Sequence, residues 1–222
     1  ELLPVCFLEG FDDLTSLVKE QSWPKSPKFI FTSNSFDTDE VFKLWAAKKI
    51  ESGSKYFTGQ HGNNYGTHRY IKSTIEEVTS DKFITWGWTD GLPQHTPAFI
   101  FKTTRRKAKN HNPRGGLLLI ELDVGIRLST LWDTTAEFKA YFEDQQKFID
   151  RLQKPIRNQL TIRLGYRYTK TKWFEEDQWR SNRREIKLDY GDCGIGKLIE
   201  NSRLVIHSYD STGILETLSQ NI

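Results

Sequence analysis

In the segment Gln60-His61-Gly62-Asn63-Asn64-Tyr65-Gly66, a histidine stands one residue beyond the β-rich run KYFTG of residues 55–59. Two glycines and two asparagines within five residues allow a tight turn with positive φ. Such a turn holds an imidazole at the lip of a sheet. There a neutral ring can take a proton from an attacking hydroxyl, and a protonated ring can offset charge developing on a phosphate. His61 is therefore the catalytic candidate, with Gln60, Gly62 and Tyr65 as substrate-binding neighbours. The competing role is a histidine that only hydrogen-bonds its own turn. His68 follows seven residues later, but no third ligand stands at a recognisable spacing, so no metal site is expected.

A second constellation, His207-Ser208-Tyr209-Asp210-Ser211-Thr212-Gly213, lies between the strand-like RLVIH and the helix-like GILETL. A strand, a hydroxyl-rich turn and a helix start together present free backbone N–H groups to an anion. Ser211, Thr212 and the amide of Gly213 are thus candidates for a donor phosphate, with Glu216 near enough to meet a sugar or ribose hydroxyl. Ordinary helix capping by Asp210 or Ser211 is the alternative. Trp86-Gly87-Trp88 after a third β-rich run makes Trp88 a candidate platform for a sugar face or a base, against a packing role for both tryptophans. Between Arg163 and Trp179, Arg163, Arg167, Lys170 and Lys172 could supply cations to a phosphate, or form a solvated loop.

The elements that must position these residues alternate between strand and helix. Residues 28–32, 55–59 and 82–86 read as strands, 39–49 as a helix and 71–79 as a second helix. After a turn-rich stretch, the continuous apolar run LLLIELDV at 117–124 reads as a strand buried on both faces. A long helix follows, with Phe138, Tyr141, Phe142, Phe148, Ile149 and Leu152 forming its apolar stripe and Thr134 with Glu137 as a capping box. Strands at 160–164, 185–188 and 203–207 and helices at 195–200 and from Ser211 complete the pattern. Repeated βα steps predict an α/β fold of two Rossmann-like lobes, both incomplete, with parallel sheets covered by helices on both faces. The expected division is 1–101 for a first lobe, 102–114 for a basic linker and 115–222 for part of a second lobe. In two-lobed enzymes of this kind, ligands bind between lobes at the carboxyl ends of strands.

Composition limits the remaining classes. With 36% apolar, 27% charged and 13% aromatic residues in 222, the chain is a folded, water-soluble protein by its content. No apolar run approaches the roughly 20 residues of a membrane-spanning helix. The opening Glu1-Leu2-Leu3-Pro4 lacks a basic leader. Two distant cysteines, Cys6 and Cys193, fit a reducing compartment, and the lack of any methionine suggests a chain cut from a longer one. A net charge of +3 does not argue for specific nucleic-acid binding. Six basic residues between Lys102 and Arg114 form a local cluster that is either a solvated linker or a contact for an anionic surface.

QHGNNYG, DKFITWGW and SRLVIHSYDSTGILETLSQNI resemble a family of transferases found among bacterial surface-polysaccharide and nonulosonic-acid genes, and the resemblance runs from about Leu3 to the end. More distantly, the His-Gly and the hydroxyl-rich turn are similar to those of the CDP-glycerol glycerophosphotransferases and capsular Kdo transferases, which have GT-B architecture. The resemblance implies a metal-independent glycosyltransferase without cofactor, moving a sugar or sugar-like group from a nucleotide-activated donor to a bacterial cell-surface glycan. It implies His61 in catalysis, Ser211 and Thr212 on the donor diphosphate and Glu216 at the donor pocket. Partners would be a nucleotide-sugar and a glycan acceptor, in the cytoplasm, with the basic cluster touching the inner face of the membrane. Where the distant relatives carry His-Pro, this chain has Gly165-Tyr166-Arg167, so that phosphate contact does not carry over. The family would also continue beyond Asn221-Ile222. A nucleotide-sugar epimerase or hydrolase, and a non-enzymatic anion-binding module, remain the alternatives.

Overall fold

The computed structural model describes residues 3–63, 65, 73–104, 107–109, 112–122, 138–164 and 175–221. The chain divides into two compact α/β units, Glu1–Thr104 and Arg105–Ile222, each built on a four-stranded sheet.

In the first unit the order is α1 (Phe11–Glu20), β1 (Phe29–Thr32), α2 (Ser35–Thr38), α3 (Glu40–Glu51), β2 (Lys55–Gly59), α4 (Ile75–Thr79), β3 (Lys82–Thr85) and β4 (His95–Pro97). The strands pair in parallel in the order β1-β2-β3-β4. Asp39 starts α3 by accepting a hydrogen bond from the Phe42 amide at 2.9 Å, and Lys48 and Lys49 sit at the helix end where cations are favoured. The helix buries Trp45 and Ala46 with Ile30 and Tyr56 of the sheet, and Trp23, Phe42 and Val18 close the cluster. Of the helix read at 71–79, residues 75–79 are observed, with the Glu77 carboxylate accepting from the Thr74 amide at the helix start; residues 71 and 72 lie outside the described set.

In the second unit the order is β5 (Gly116–Ile120), α5 (Phe138–Arg151), α6 (Lys154–Arg157), β6 (Leu160–Arg163), α7 (Glu175–Asn182), β7 (Lys187–Asp189), α8 (Ile195–Glu200), β8 (Ser202–His207) and α9 (Thr212–Leu218). The strand order is β7-β6-β5-β8, all parallel. The apolar run does form the buried central strand, with Leu118 at 0% exposure. It ends at Ile120, before the acidic Glu121. Its start depends on glycine. A Cβ on Gly115 would lie 2.6 Å from both Arg203 N and Asn201 O, and one on Gly116 would lie 2.5 Å from Gln159 O.

On α5 the buried face is Phe138, Phe142, Gln145 and Ile149. Phe148, expected in that stripe, is 39% exposed, because ten residues from Phe138 amount to an angle about 80° off the face. Thr134 and Glu137, read as its capping box, lie outside the described residues. The helix α7 replaces part of a segment read as loop and buries Trp179 completely against Phe142, with ring centroids 4.8 Å apart.

Candidate functional site

In an open parallel sheet, ligands are held outside the carboxyl ends of strands, where successive connections diverge to opposite sides. The second unit has such a point. The chain lays down β5, β6 and β7 in one direction and then returns to add β8 on the other side of β5. The divergence therefore lies between the carboxyl ends of β5 and β8. In the first unit the described strands follow one another in sequence order, with no such reversal.

At the β5/β8 end the two strands are tied by a small hydroxyl network. Tyr141 of α5 accepts from the Leu122 amide at 2.7 Å and pairs with Ser208 Oγ at 2.6 Å, and Ser208 Oγ donates to Ile120 O at 2.7 Å. Burial pushes the Tyr141 phenol up to about 12, so it stays protonated. Beyond Ser208 the chain turns into α9. Ser211 is the N-cap residue by position, yet its side chain makes no capping hydrogen bond. Thr212, Gly213 and Glu216 follow on α9, all partly exposed. His207 packs against this turn: a Cβ on Gly213 would lie 3.1 Å from Ser211 Oγ and 3.2 Å from His207 Cε1. Thr217 Oγ1 donates to Gly213 O at 2.9 Å, so at 3.0 Å it accepts from His207 Nε2, which carries the ring proton. Burial lowers the His207 pKa and keeps the ring neutral.

Arg163 ends β6, on the far side of β5 from that turn. Its guanidinium is engaged by the Asp189 carboxylate and donates to Cys193 O at 2.8 Å. Arg167, Lys170 and Lys172 lie outside the described residues. Lys109 of the basic cluster is paired with Glu200, and its amide donates to Gln220 O at 2.8 Å, so this residue is part of the second unit.

The His61 turn, in the first unit, is held by buried polar side chains. Gln60 Oε1 accepts from Trp86 N at 2.9 Å and from Trp88 Nε1 at 2.7 Å, while its Nε2 donates to Gly62 O at 2.7 Å. Gln60, Gly62 and Trp88 are thus brought together. The Trp88 ring also packs edge-on to His95 at 5.2 Å. The positive φ expected of this turn is not found at Gly62 or Asn63; Asn64, Gly66 and His68 lie outside the described residues. Tyr65 donates its hydroxyl to Glu76 Oε1. The His61 side chain itself is exposed.

Several polar residues of these sites escaped the sequence reading. Glu121 and Gln145 are buried in the second unit; Glu76, Glu77 and His95 are buried in the first. His95 Nδ1 lies 2.8 Å from Asp90 Oδ1 and its Nε2 lies 3.5 Å from Glu77 Oε1. Glu121 carried the one available signal, a single acid inside a continuous apolar run. Among the described residues no group of three or more His, Cys, Asp or Glu side chains could hold a metal ion, and no helix is long and apolar enough to cross a membrane.

Neither the curated proteins nor the solved structures include a match to this chain. A family model does match, described as LIC12162 family transferase, and it covers residues 1–222. The chain therefore belongs to the LIC12162 family of transferases.

Proposed function

We propose that this transferase is a glycosyltransferase of the GT-B kind, passing a sugar or sugar-like group from a nucleotide-activated donor to a bacterial cell-surface glycan. The observation that carries the reading is the reversal of strand order between β5 and β8, which falls at the turn bearing Ser211, Thr212 and Gly213. Ser211 spends no hydroxyl on capping, and the missing Cβ of Gly213 lets the turn pack closely against His207. These groups suit the oxygens of a donor diphosphate, and Glu216 on the next turn of α9 suits a ribose or sugar hydroxyl. Because α9 is only seven residues long, the reading leans on hydroxyls and sheet position, not on a helix dipole.

His61 is the proposed base. Its exposed imidazole would accept the proton of an acceptor hydroxyl as that oxygen bonds to the anomeric carbon. The bond from the anomeric carbon to the donor phosphate oxygen breaks, and the nucleotide leaves with the electron pair. The basic residues Lys102, Lys107 and Arg114 are proposed to favour an anionic surface, such as the inner face of a membrane.

A thermal-shift screen against CMP-, CDP-, UDP- and GDP-sugars tests the donor site. One nucleotide series should raise the melting temperature, and the double change Ser211→Ala with Thr212→Val should abolish the rise. Indifference to all four series would remove the donor reading. Nucleotide release that requires a glycan acceptor separates transfer from hydrolysis or epimerisation. His61→Ala should abolish release while leaving the melting temperature unchanged, and retained turnover would remove His61 from the chemistry.

A further inference from the structure

At the carboxyl end of β5 the direction of every hydrogen bond in the hydroxyl network is fixed by its two terminal groups. The Leu122 amide can only donate, so Tyr141 Oη accepts from it at 2.7 Å. The Ile120 carbonyl can only accept, so Ser208 Oγ gives it its single proton, at 2.7 Å. The Tyr141 proton then goes to Ser208 Oγ, at 2.6 Å. The chain of donation thus starts just beyond β5 and finishes on its last residue, passing through α5 and the residue after β8. The Ser208 amide adds a second bond to Ile120 O at 3.3 Å. Tyr141 itself hangs from a packed helix. Its ring centroid lies 5.8 Å from that of buried Phe138, and Gln145, one turn further along α5, reaches the buried Glu121 carboxyl at 3.5 Å.

From these contacts we propose that Tyr141 is a positioning residue for the donor turn, its hydroxyl holding Ser208 so that Ser211 and Thr212 present one fixed geometry to a diphosphate. The proposal rests on the reading of that turn as the donor site. Only Tyr209, Asp210 and Ser211 lie between Ser208 and the first residue of α9. The far end of this connection is fixed by the bond between His207 and Thr217 and by the close packing of His207 on Gly213. Its near end is fixed at Ser208, whose hydroxyl is oriented by Tyr141 on one side and Ile120 on the other. Ser211 makes no capping hydrogen bond of its own, so its hydroxyl stands where the anchored backbone puts it. A displacement of about 1 Å in such a group is enough to lose much of its value to a bound substrate. Burial pushes the Tyr141 phenol up to about 12, so it keeps the proton that it gives to Ser208.

Amide hydrogen exchange in the ligand-free protein provides the first readout. Tyr141→Phe keeps the ring beside Phe138 and removes only the hydroxyl, while Ser208→Ala breaks the same chain at its next member. Each should speed exchange by about 10-fold or more at Ile214, whose amide closes the turn on Ser211 O, and Tyr141→Phe should do the same at Ser208. The amides of Leu117 and Leu164, bonded to Gln159 O and Asp189 O, should be unchanged and serve as the control for an intact sheet. The second readout is the affinity for the nucleotide-sugar identified in the thermal screen. Both changes should raise its Kd by about 10-fold while kcat at saturating donor stays within about 2-fold, and the double variant should be no worse than the poorer single one. Unchanged exchange at Ile214, equal acceleration at Leu117 and Leu164, an unaltered Kd, or losses that multiply in the double variant would overturn the positioning role. If no nucleotide-sugar binds the unaltered protein, the donor reading fails by itself. Faster exchange at Ser208 and Ile214 would then still show Tyr141 holding the turn, and unchanged exchange would remove that role as well.

Discussion

The indole of Trp179 donates its Nε1 proton to Glu121 Oε1 across 3.2 Å, in the interior of the second unit at the carboxyl end of its central strand. Gln145 Nε2 reaches the same oxygen at 3.5 Å. Burial pushes the Glu121 carboxyl up to about 8; the two hydrogen bonds pull it down, and Glu175 adds to the rise. Near neutral pH the group is therefore largely protonated and uncharged.

Stability should consequently depend on pH through Glu121. Between its ordinary value and about 8, the folded protein holds a proton that the unfolded chain has released. The stabilisation is complete below the ordinary carboxyl range and is lost as pH rises through the folded value, by up to about 1.4 kcal/mol per pH unit. Glu121→Gln, which is neutral throughout, should flatten that slope. Urea unfolding followed by tryptophan fluorescence between about pH 5 and 8 measures it, and parallel curves for the two proteins would refute the assignment.

Gln60→Leu should destabilise the first unit by about 2–4 kcal/mol, since it leaves the Trp86 amide, the Trp88 indole and the Gly62 carbonyl without their partner. Gln60→Glu retains an acceptor for the two tryptophans but buries a carboxylate with one oxygen against the Gly62 carbonyl, so its cost should be large at neutral pH and fall in acid, where a protonated carboxyl can donate to that carbonyl. Chemical denaturation of both variants at neutral and acid pH checks this.

The two crowded glycines should respond differently to alanine. At Gly115 the obstacles to a Cβ are backbone atoms of Asn201, Ser202 and Arg203, which cannot turn aside. Gly115→Ala should therefore cost about 1–3 kcal/mol or more by forcing β5 away from β8. At Gly59 the nearest atom is Phe31 Cζ at 2.8 Å, the far end of a side chain that is partly exposed, so the cost should be lower. Equal losses in melting temperature would contradict this account.

Removing one member of the Arg163–Asp189 pair should cost more than removing both. The two side chains are only 15% and 11% exposed, so Arg163→Met leaves a carboxylate poorly solvated at the end of β7. Arg163→Met should lose about 1–3 kcal/mol, with part of it recovered by adding Asp189→Asn. Denaturant midpoints of the two singles and the double measure the coupling. A double variant as unstable as the sum of the singles would show that the pair does not act as one.

The alternation of strand and helix was legible because each periodicity is local. The apolar run at 117–124 has the character of a strand covered on both faces, which the structure bears out for Leu117–Ile120, and the turns after β2 and β8 carry their small and polar residues openly. Short or polar elements were not legible. β4 is three residues long and ends in Pro97, and α7 is dominated by charged and polar side chains, so neither has a pattern of its own to distinguish it from a loop.

The sequence by itself determined the α/β class, the positions of the main strands and the two turns worth examining, since backbone propensity and hydrophobic period act over a few residues. Only the tertiary structure decided that β8 returns to the far side of β5, because a parallel crossover is placed by packing between distant segments. It likewise decided the partners of the candidate side chains. Gln60 meets Trp86 and Trp88 more than twenty residues away, and Arg163 meets Asp189 at a separation of 26. Buried polar groups must find partners wherever the fold brings one within reach, and sequence neighbours do not reveal which partner that will be.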